Sequence, residues 1–377
     1  MEWRLQPQGD CLKTWSNRRF AQARSVAVLF AQILVLSTVI ADAAVFGDDN
    51  RTRLPTHLSQ LANSVGLVTS DTERTLCTAF CVGRRTIATA AHCLFRTAGE
   101  RRPDLGSFRF VVGSRAARKI SVITGEATGA QRQHVIAGAS SLKVTPPIDA
   151  TRDWALMRLA QPVCQGQSLT VDKISPVRVN RLAARGRLLN VAFHGDLRNW
   201  QLAVSRTCAT KTDLTKPVRK QIARDFSDTS ALVLHECDTG LASSGSPLLA
   251  LNSANRLKVV AINVGTYQQT RYLVTGDSVT RRYKPATVAN TAVSGSAFAD
   301  HILAFTRADI LSDRNQVRQL QVTLNRAGFD AGSADGLYGE RTRSATIAFE
   351  GATGRAPIGL ATRQLLYAVR HYRKGRR

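Results

Sequence analysis

The chain has 377 residues, of which 44% are hydrophobic and 21% charged, and its formal net charge is +25. This composition excludes a disordered chain and predicts more than one folded domain. The 52 lysines and arginines are scattered singly and in pairs, without a basic stripe or zinc-knuckle spacing. We therefore expect a cationic soluble surface and no nucleic-acid partner.

The N-terminal 43 residues are organised like an export signal. Arg18, Arg19 and Arg24 precede the apolar run 26–41, and Ala41-Asp42-Ala43 has the small–x–small pattern of a cleavage site. The apolar run is shorter than the roughly 20 residues that a membrane-spanning helix needs. Residues 1–43 are therefore predicted to be a signal peptide, and the expected location is secreted or periplasmic and associated with the cell wall. An uncleaved anchor is the alternative, and it is the only membrane contact that we expect.

Between residues 45 and 305, short apolar segments alternate with polar turns that contain Gly, Pro, Asn and Asp. The clearest segments are 78–82, 108–112, 155–159, 188–193, 231–234 and 259–264. This spacing is typical of an all-β barrel or sandwich. A short helix around 298–305 is expected to end the domain.

Six of the seven cysteines remain after removal of the predicted signal peptide, and an even number in an exported protein predicts disulfides. The expected pairs are Cys77–Cys93, Cys208–Cys237 and Cys81–Cys164. For the third pair the argument is one of register. If the strand that enters His92 is antiparallel to the one that leaves Asp153, and these two residues are opposite, then Cys81 and Cys164 are opposite as well. Free buried thiols are the alternative for that pair.

Three short motifs, in the chain order His, Asp, Ser, contain the groups that nucleophilic hydrolysis of a peptide bond needs. They are Thr89-Ala90-Ala91-His92-Cys93, Asp153-Trp154-Ala155-Leu156 and Ala242-Ser243-Ser244-Gly245-Ser246-Pro247. A serine hydroxyl is hardly ionised at neutral pH, so a histidine must take its proton and a carboxylate must orient the imidazole. We predict Ser244 as the nucleophile, His92 as the general base and Asp153 as the orienting carboxylate. The backbone N–H groups of Ala242 and Ser244 are predicted to form the oxyanion hole.

With these motifs the chain resembles the chymotrypsin-like serine endopeptidases, particularly their exported bacterial branch. The resemblance also rests on the spacing from Cys77 to Cys93, on Cys237-Asp238-Thr239 and on Val45-Phe46-Gly47-Asp48-Asp49. It covers roughly residues 45–305 and implies an all-β double six-stranded barrel, trypsin-like, with the triad in the cleft between the barrels. It also implies a serine endopeptidase that forms an acyl-enzyme with protein or peptide substrates. No two histidines have the spacing of metal ligands on a helix, so we expect no metal and no cofactor.

Two departures from the family pattern affect the expected activity. Ala242 stands where the family has a glycine whose permissive backbone turns an N–H into the oxyanion hole. Ser243 stands where the trypsin subgroup has an aspartate that pairs with the freed N-terminal amine, so activation through such an ion pair is not expected. A catalytically silent protein with the protease fold is therefore the alternative.

The resemblance also implies which residues bind substrate. Asp238 lies six residues before Ser244, at the position that matches the floor of the specificity pocket in trypsin, and Thr239 follows it. A carboxylate there predicts a preference for Arg or Lys before the cut, although it is equally expected to support the loop only. Asn263 and Gly265 belong to the predicted strand wall that pairs with the substrate backbone.

The C-terminal part has a different pattern, in which apolar residues recur with helical spacing. The three repeats are Val317, Leu320, Leu324 and Phe329; Ala345, Ala348 and Phe349; and Thr362, Leu365, Leu366 and Val369. A small three-helix α domain is predicted at 315–370, after a linker at 306–314 and before a basic tail at 371–377.

This C-terminal segment resembles the peptidoglycan-binding type 1 domain. The resemblance is carried by Val317, Leu320-Gln321, Leu324, Gly328-Phe329, Asp335-Gly336, Tyr338-Gly339, Thr342, Ala345 and Phe349. It implies peptidoglycan as a partner, with a structural appendage as the alternative. The two resemblances together predict an exported serine endopeptidase tethered to peptidoglycan. A peptidoglycan hydrolase is less favoured, because it needs a zinc site or a pair of catalytic carboxylates.

Overall fold

The structure, a computed structural model, describes residues 31–40, 44–95, 103–113, 119–122, 134–164, 166–197, 201–206, 208–251, 256–275, 278–282 and 284–372. The strands in these ranges are β1 (Ala31–Ile40), β2 (Arg51–Arg53), β3 (Val65–Ser70), β4 (Thr75–Gly83), β5 (Thr86–Thr89), β6 (Arg109–Val112), β7 (Lys119–Val122), β8 (Val135–Ala137), β9 (Ala155–Arg158), β10 (Leu188–His194), β11 (Gln201–Ser205), β12 (Leu232–His235), β13 (Pro247–Leu251), β14 (Leu257–Thr275), β15 (Ser278–Arg282) and β16 (Ala286–Ser294). The helices are α1 (Pro176–Ala183), α2 (Lys216–Asp225), α3 (Ala299–Arg307), α4 (Arg314–Arg326), α5 (Glu340–Ala352) and α6 (Arg363–Arg370).

The first of two antiparallel sheets has the strand order β7-β6-β3-β4-β5-β9-β8. Its central strands, β4 and β5, are buried along nearly their whole length. The apolar core of this sheet includes Ile87, Phe108, Phe110 and Met157, each at most 1% exposed. The sheet curves like a barrel, but no pairing within the described residues joins its edge strands β7 and β8.

The second sheet has the order β12-β16-β14-β13-β10-β11-β2, with β1 and β15 paired to β14 outside this path. Strand β14 has 19 residues and extends well beyond β13, which has five. The part of β14 beyond β13 therefore has backbone groups that are available for further pairing, and β1 and β15 pair with it there. The predicted all-β architecture is confirmed as two antiparallel, barrel-like sheets, neither of which is closed within the described residues. The sheets have seven and nine strands where six were predicted, because each has short additional strands at its edges and, in the second sheet, β1 and β15 also pair with the long β14.

The structure contains the three predicted disulfides, Cys77–Cys93, Cys81–Cys164 and Cys208–Cys237. The predicted register behind the second of these was wrong. Strands β5 and β9 are antiparallel as expected, but Ile87 is opposite Met157, and Cys81 lies on the neighbouring strand β4. Cys164 follows β9 and reaches Cys81 from the loop, because its backbone N–H donates to the carbonyl of Arg84 at the β4–β5 turn.

Helices α4, α5 and α6 form the predicted small domain around a separate apolar core. Its members are Leu311, Val317, Leu320, Leu324, Ala331, Tyr338, Ala345, Phe349, Ala361, Leu365, Leu366 and Val369. Tyr372, which belongs to the predicted basic tail, packs edge-on against Phe329 and Phe349. The rest of that tail, 373–377, lies outside the described residues.

The predicted linker at 306–314 is not a free connection. Helix α3 extends to Arg307, and Ile310 then pairs with Thr362 of the small domain. Ile358 and Leu360 pack in the apolar cluster that includes Phe305 of α3. The small domain therefore rests against the β domain, since its loop before α6 supplies apolar side chains to the same cluster.

The predicted signal peptide is covered only in part. Residues 1–30 and 41–43 lie outside the described residues, and residues 31–40 form β1 against β14. Among the helices that the structure describes, none is long and apolar enough to cross a membrane. Cleavage of this segment stays a prediction.

Candidate active site

His92 and Asp153 lie side by side on neighbouring segments of the first sheet. His92 is in a short turn after β5, and Asp153 ends a turn just before β9, which pairs with β5. One carboxylate oxygen, Oδ2, lies 2.7 Å from His92 Nδ1, and the other accepts the His92 backbone N–H at 2.9 Å. Both oxygens of Asp153 therefore hold the same residue, which fixes the imidazole with Nε2 turned away from the carboxylate.

The charge of Asp153 changes the acidity of the imidazole. Burial opposes the protonated form of His92, but the adjacent carboxylate and its hydrogen bond outweigh burial and raise the pKa of His92 above the ordinary 6.5. The His92 side chain is still 22% exposed, so it is open to the cleft. Such a histidine is a competent proton acceptor above its pKa.

Ser244 lies in the turn between β12 and β13, and this turn is held by Thr78 of β4. The Thr78 N–H donates to the carbonyl oxygens of Ala242 (2.8 Å) and Ser244 (2.9 Å), and its hydroxyl donates to that of Ala242 at 2.7 Å. Gly245 has a φ of +82°, and a Cβ there would lie 2.1 Å from Thr89 Oγ1. The turn is thus pressed against the end of β5, which leads to the predicted general base.

The structure brings the three predicted triad residues to one region, since Gly245 lies against Thr89 and Ala90, close to the His92–Asp153 pair. Among the described residues, the hydrogen bond between Ser244 and His92 is the one contact of the triad that is not formed. Ser244 is only 7% exposed. Within the part of the chain that the structure describes, its hydroxyl makes no hydrogen bond to His92. Hydrogen bonds between a nucleophile and its base are often long or poorly aligned until substrate binds.

Ala242 adopts a backbone conformation that alanine rarely has. Its φ is +73°, in the left-handed region where a glycine would be unstrained. The added methyl group therefore does not prevent this residue from adopting a backbone conformation that is typical of glycine. Alanine in place of glycine at this position costs roughly 1–3 kcal/mol of backbone strain.

Asp238 is fully buried and faces the N-terminal segment of the β domain. Its Oδ1 accepts the N–H of Phe46 at 2.8 Å, and its Oδ2 accepts the N–H of Asn50 at 2.9 Å. Of the two roles that the sequence left open, these contacts favour support of the loop. Thr239 makes similar contacts, because its N–H donates to the carbonyl of Ala44 at 2.8 Å.

Asn263 and Gly265, predicted to bind substrate, have different surroundings. Gly265 lies on β14 opposite Thr291 of β16, whose hydroxyl donates to the Gly265 carbonyl. The Asn263 side chain is turned inward, 2% exposed, and contacts His235 and Ser243. It therefore holds the nucleophile turn from within.

Three residues of this region carried no recognisable signal in the sequence: Arg51, Thr78 and His235. The Arg51 guanidinium bonds Asp49, Asp196 and the carbonyl of Thr239, with only 3% of its side chain exposed. Each of the three also contacts a residue far away in the sequence, namely Thr239, Ala242 and Asn263 respectively, and no local pattern marks those contacts.

Cys77, His92 and Cys93 are the one group of possible metal ligands found within the described residues. The two sulfurs are joined in a disulfide, so neither is available as a thiolate ligand. The chemistry of these residues does not fit a metal ion.

In the small domain, Gln321 is a buried hub between α4 and the α4–α5 loop. Its amide donates to Asp335, Leu337 and Thr342 and accepts the N–H of Gly336. The motif residues of the sequence prediction therefore build the turn that joins two helices. Glu350 of α5 is also buried, which raises the pKa of its carboxyl to about 7, although it accepts the N–H of Gly359.

Comparisons with known proteins agree with this division of the chain. Residues 77–262 match the family model described as a trypsin-like peptidase domain, and residues 313–369 match the putative peptidoglycan binding domain. Both family resemblances seen in the sequence are confirmed. A Glu endopeptidase solved in complex with MPD is similar with a TM-score of 0.42 and 14% identity, over 70% of this chain and 99% of that one. No curated protein matches the chain.

Proposed function

The chain contains a trypsin-like peptidase domain followed by a C-terminal domain of the peptidoglycan-binding family, and from this we propose that it is an exported serine endopeptidase tethered to peptidoglycan. The observation that carries the catalytic part is the double contact of Asp153 with His92, at 2.7 and 2.9 Å. That arrangement orients an imidazole as a general base, which a merely structural histidine does not require.

In the proposed reaction, Ser244 attacks the carbonyl carbon of the scissile peptide bond while His92 Nε2 takes its proton. Asp153 stabilises the imidazolium, and the N–H groups of Ala242 and Ser244 bind the oxygen that becomes negative. His92 then gives its proton to the leaving amine, which breaks the C–N bond and leaves an acyl-enzyme on Ser244. A water molecule, activated by the same histidine, releases the acid.

The proposed substrate preference depends on whether the Asp238 carboxylate contacts the substrate or only supports the loop. A preference for Arg or Lys before the cut stays a prediction of the sequence resemblance. The two backbone donors on the Asp238 carboxylate support the other role, in which it fastens the N-terminal segment to the pocket loop. The wall for substrate backbone is proposed at Gly265 on β14.

Labelling with a fluorophosphonate probe tests the catalytic proposal without knowledge of the substrate. We expect the purified mature protein to be labelled at Ser244 and the Ser244→Ala variant to stay unlabelled. The alternative, a catalytically silent protein, is favoured by one observation, the missing hydrogen bond between Ser244 and His92. Absence of labelling in a folded wild type would establish that alternative.

Sedimentation with purified peptidoglycan tests the tether. The full chain with Ser244→Ala should sediment with the polymer, and the chain ending before residue 306 should stay in solution. Because the net charge is +25, the experiment is repeated at high salt to remove nonspecific adhesion. Equal sedimentation of both proteins at high salt would contradict a role of the small domain in binding.

A further inference from the structure

The amide of Asn263 lies beside the peptide unit that joins Ser243 to Ser244. Its Nδ2 donates to the Ser243 carbonyl at 3.1 Å and lies 3.5 Å from the Ser243 hydroxyl. The Asn263 backbone also accepts the N–H of Gly245 at 2.8 Å and donates to the Ser246 carbonyl at 2.9 Å. One buried residue therefore contacts the chain on both sides of the proposed nucleophile.

His235 determines which way the Asn263 amide points. The N–H of Cys237 donates to His235 Nδ1 at 3.3 Å, so that nitrogen is the acceptor and the ring proton is on Nε2. Nε2 lies 3.1 Å from Asn263 Oδ1, to which it donates. Burial lowers the pKa of His235 to about 4, so the ring stays neutral and keeps this tautomer at neutral pH. Asn263 is left with only its NH₂ end to face Ser243.

The geometry of the peptide bond transmits this orientation to the oxyanion hole. In a planar trans peptide the C=O and the following N–H point in opposite directions. A Ser243 carbonyl held inward by Asn263 therefore turns the Ser244 N–H outward. The neighbouring unit has the same design, since the Leu241 carbonyl accepts the N–H of Gly195 at 2.7 Å and so turns the Ala242 N–H away. Neither N–H donates to an acceptor among the described residues.

From this network we infer that Asn263, oriented by His235, is a positioning residue that aims the Ser244 N–H at the developing oxyanion. The inference rests on the proposed peptidase function and replaces direct substrate binding as the role of the Asn263 side chain. Removal of the amide does not release the peptide unit completely, because the Ser246 N–H also donates to the Ser243 carbonyl at 3.0 Å. The expected loss is therefore smaller than the 10²–10³ that removal of a whole oxyanion donor costs.

Replacement of the amide by an apolar group of similar size tests the inference. In Asn263→Leu we expect kcat to fall about 10- to 100-fold with KM changed by less than about threefold, because only the transition state needs the oxyanion donors. The rate of fluorophosphonate labelling and the affinity for a peptide aldehyde should fall in parallel. Asn190→Leu is the matched control, since Asn190 is fully buried and donates to Ser246 Oγ and the Pro247 carbonyl but to neither oxyanion peptide. An unchanged kcat in a folded Asn263→Leu protein overturns the inference, as does an equal loss in the control.

A measurement on the wild-type protein covers the case in which Asn263→Leu does not fold. The ¹⁵N shifts of the His235 ring should show a proton on Nε2 and none on Nδ1 throughout pH 5 to 8. The opposite tautomer overturns the inference, because Nε2 would then be an acceptor and Asn263 would turn its NH₂ to the ring and its oxygen toward Ser243. Failure of the peptidase proposal looks different: the wild type itself would lack labelling and turnover while the tautomer stayed as stated.

Discussion

The two halves of the proposed active site are held by different kinds of contact. His92 and Asp153 belong to turns at the ends of paired strands, and two hydrogen bonds join them directly. Within the described residues, the Ser244 hydroxyl makes no hydrogen bond to His92. The turn of Ser244 is positioned through its backbone by residues of the other sheet and of β14, chiefly Thr78 and Asn263.

This difference predicts how each half responds to substitution. The His–Asp half depends on two side chains, each of which acts on the reacting proton, so a single change removes the function. The Ser half depends on many hydrogen bonds to the backbone of its turn. The loss of one of them should therefore lower activity only moderately, because the others still hold the turn. The substitutions below test this contrast, and the first has the largest expected effect.

Removal of the base half should abolish catalysis. We expect His92→Ala to lower kcat/KM by roughly 10⁴- to 10⁶-fold and Asp153→Asn by about 10⁴-fold, because the imidazole is lost or held in the wrong tautomer. The exposed His57 provides the control variant His57→Ala, for which wild-type kinetics are expected. Retention of wild-type turnover in either site variant would sink the triad assignment.

Substitution of Asp238 should affect stability more than selectivity. In Asp238→Ser the N–H groups of Phe46 and Asn50 lose their acceptor in a partly buried place, which should lower the free energy of unfolding by about 1–3 kcal/mol. Chemical denaturation measures this loss, and a peptide library compares cleavage after Arg or Lys with cleavage after other residues. Loss of a basic preference without loss of stability would show that Asp238 contacts the substrate after all.

The pH profile tests the coupling between His92 and Asp153. The general base must be neutral, and its pKa is raised above 6.5, so kcat/KM should rise with pH through an acid limb that lies above 6.5. In Asp153→Asn the residual activity should show that limb at lower pH, since the raising charge is gone while burial still opposes protonation. An acid limb at the same pH in both proteins would mean that another group controls the profile.

The smallest effect is expected at Ala242. Because its φ is +73°, glycine relieves roughly 1–3 kcal/mol of strain but gives the unfolded chain more freedom, at a cost of about 1 kcal/mol, so the free energy of unfolding in Ala242→Gly should stay level or rise by up to about 2 kcal/mol. Turnover should be level or somewhat higher, as measured by the rate of fluorophosphonate labelling. A substantial loss of activity would show that the alanine side chain itself supports the oxyanion turn.

Several features of the molecule were determined by local sequence. The alternating apolar segments predicted the β domain, and the helical repeats around Val317, Ala345 and Leu365 predicted the three helices of the small domain. In that domain the hydrogen bonds of Gln321 reach only to residues 335–342, so a short motif contains most of the turn that it forms. Cysteine parity and spacing indicated Cys77–Cys93 and Cys208–Cys237, whereas Cys81–Cys164 was predicted with a register argument that was wrong.

Other features were decided only by the tertiary structure. The carboxylate of Asp238 binds the backbone of Phe46 and Asn50, nearly 190 residues earlier in the chain. The linker pairs with the strand-like segment before α6, and the outer half of β14 pairs with β1. The sequence alone indicates which groups are able to do the chemistry, because that ability depends on residue type. Which buried donor meets which acceptor depends on how distant segments pack, and no periodicity or motif within one segment encodes that choice.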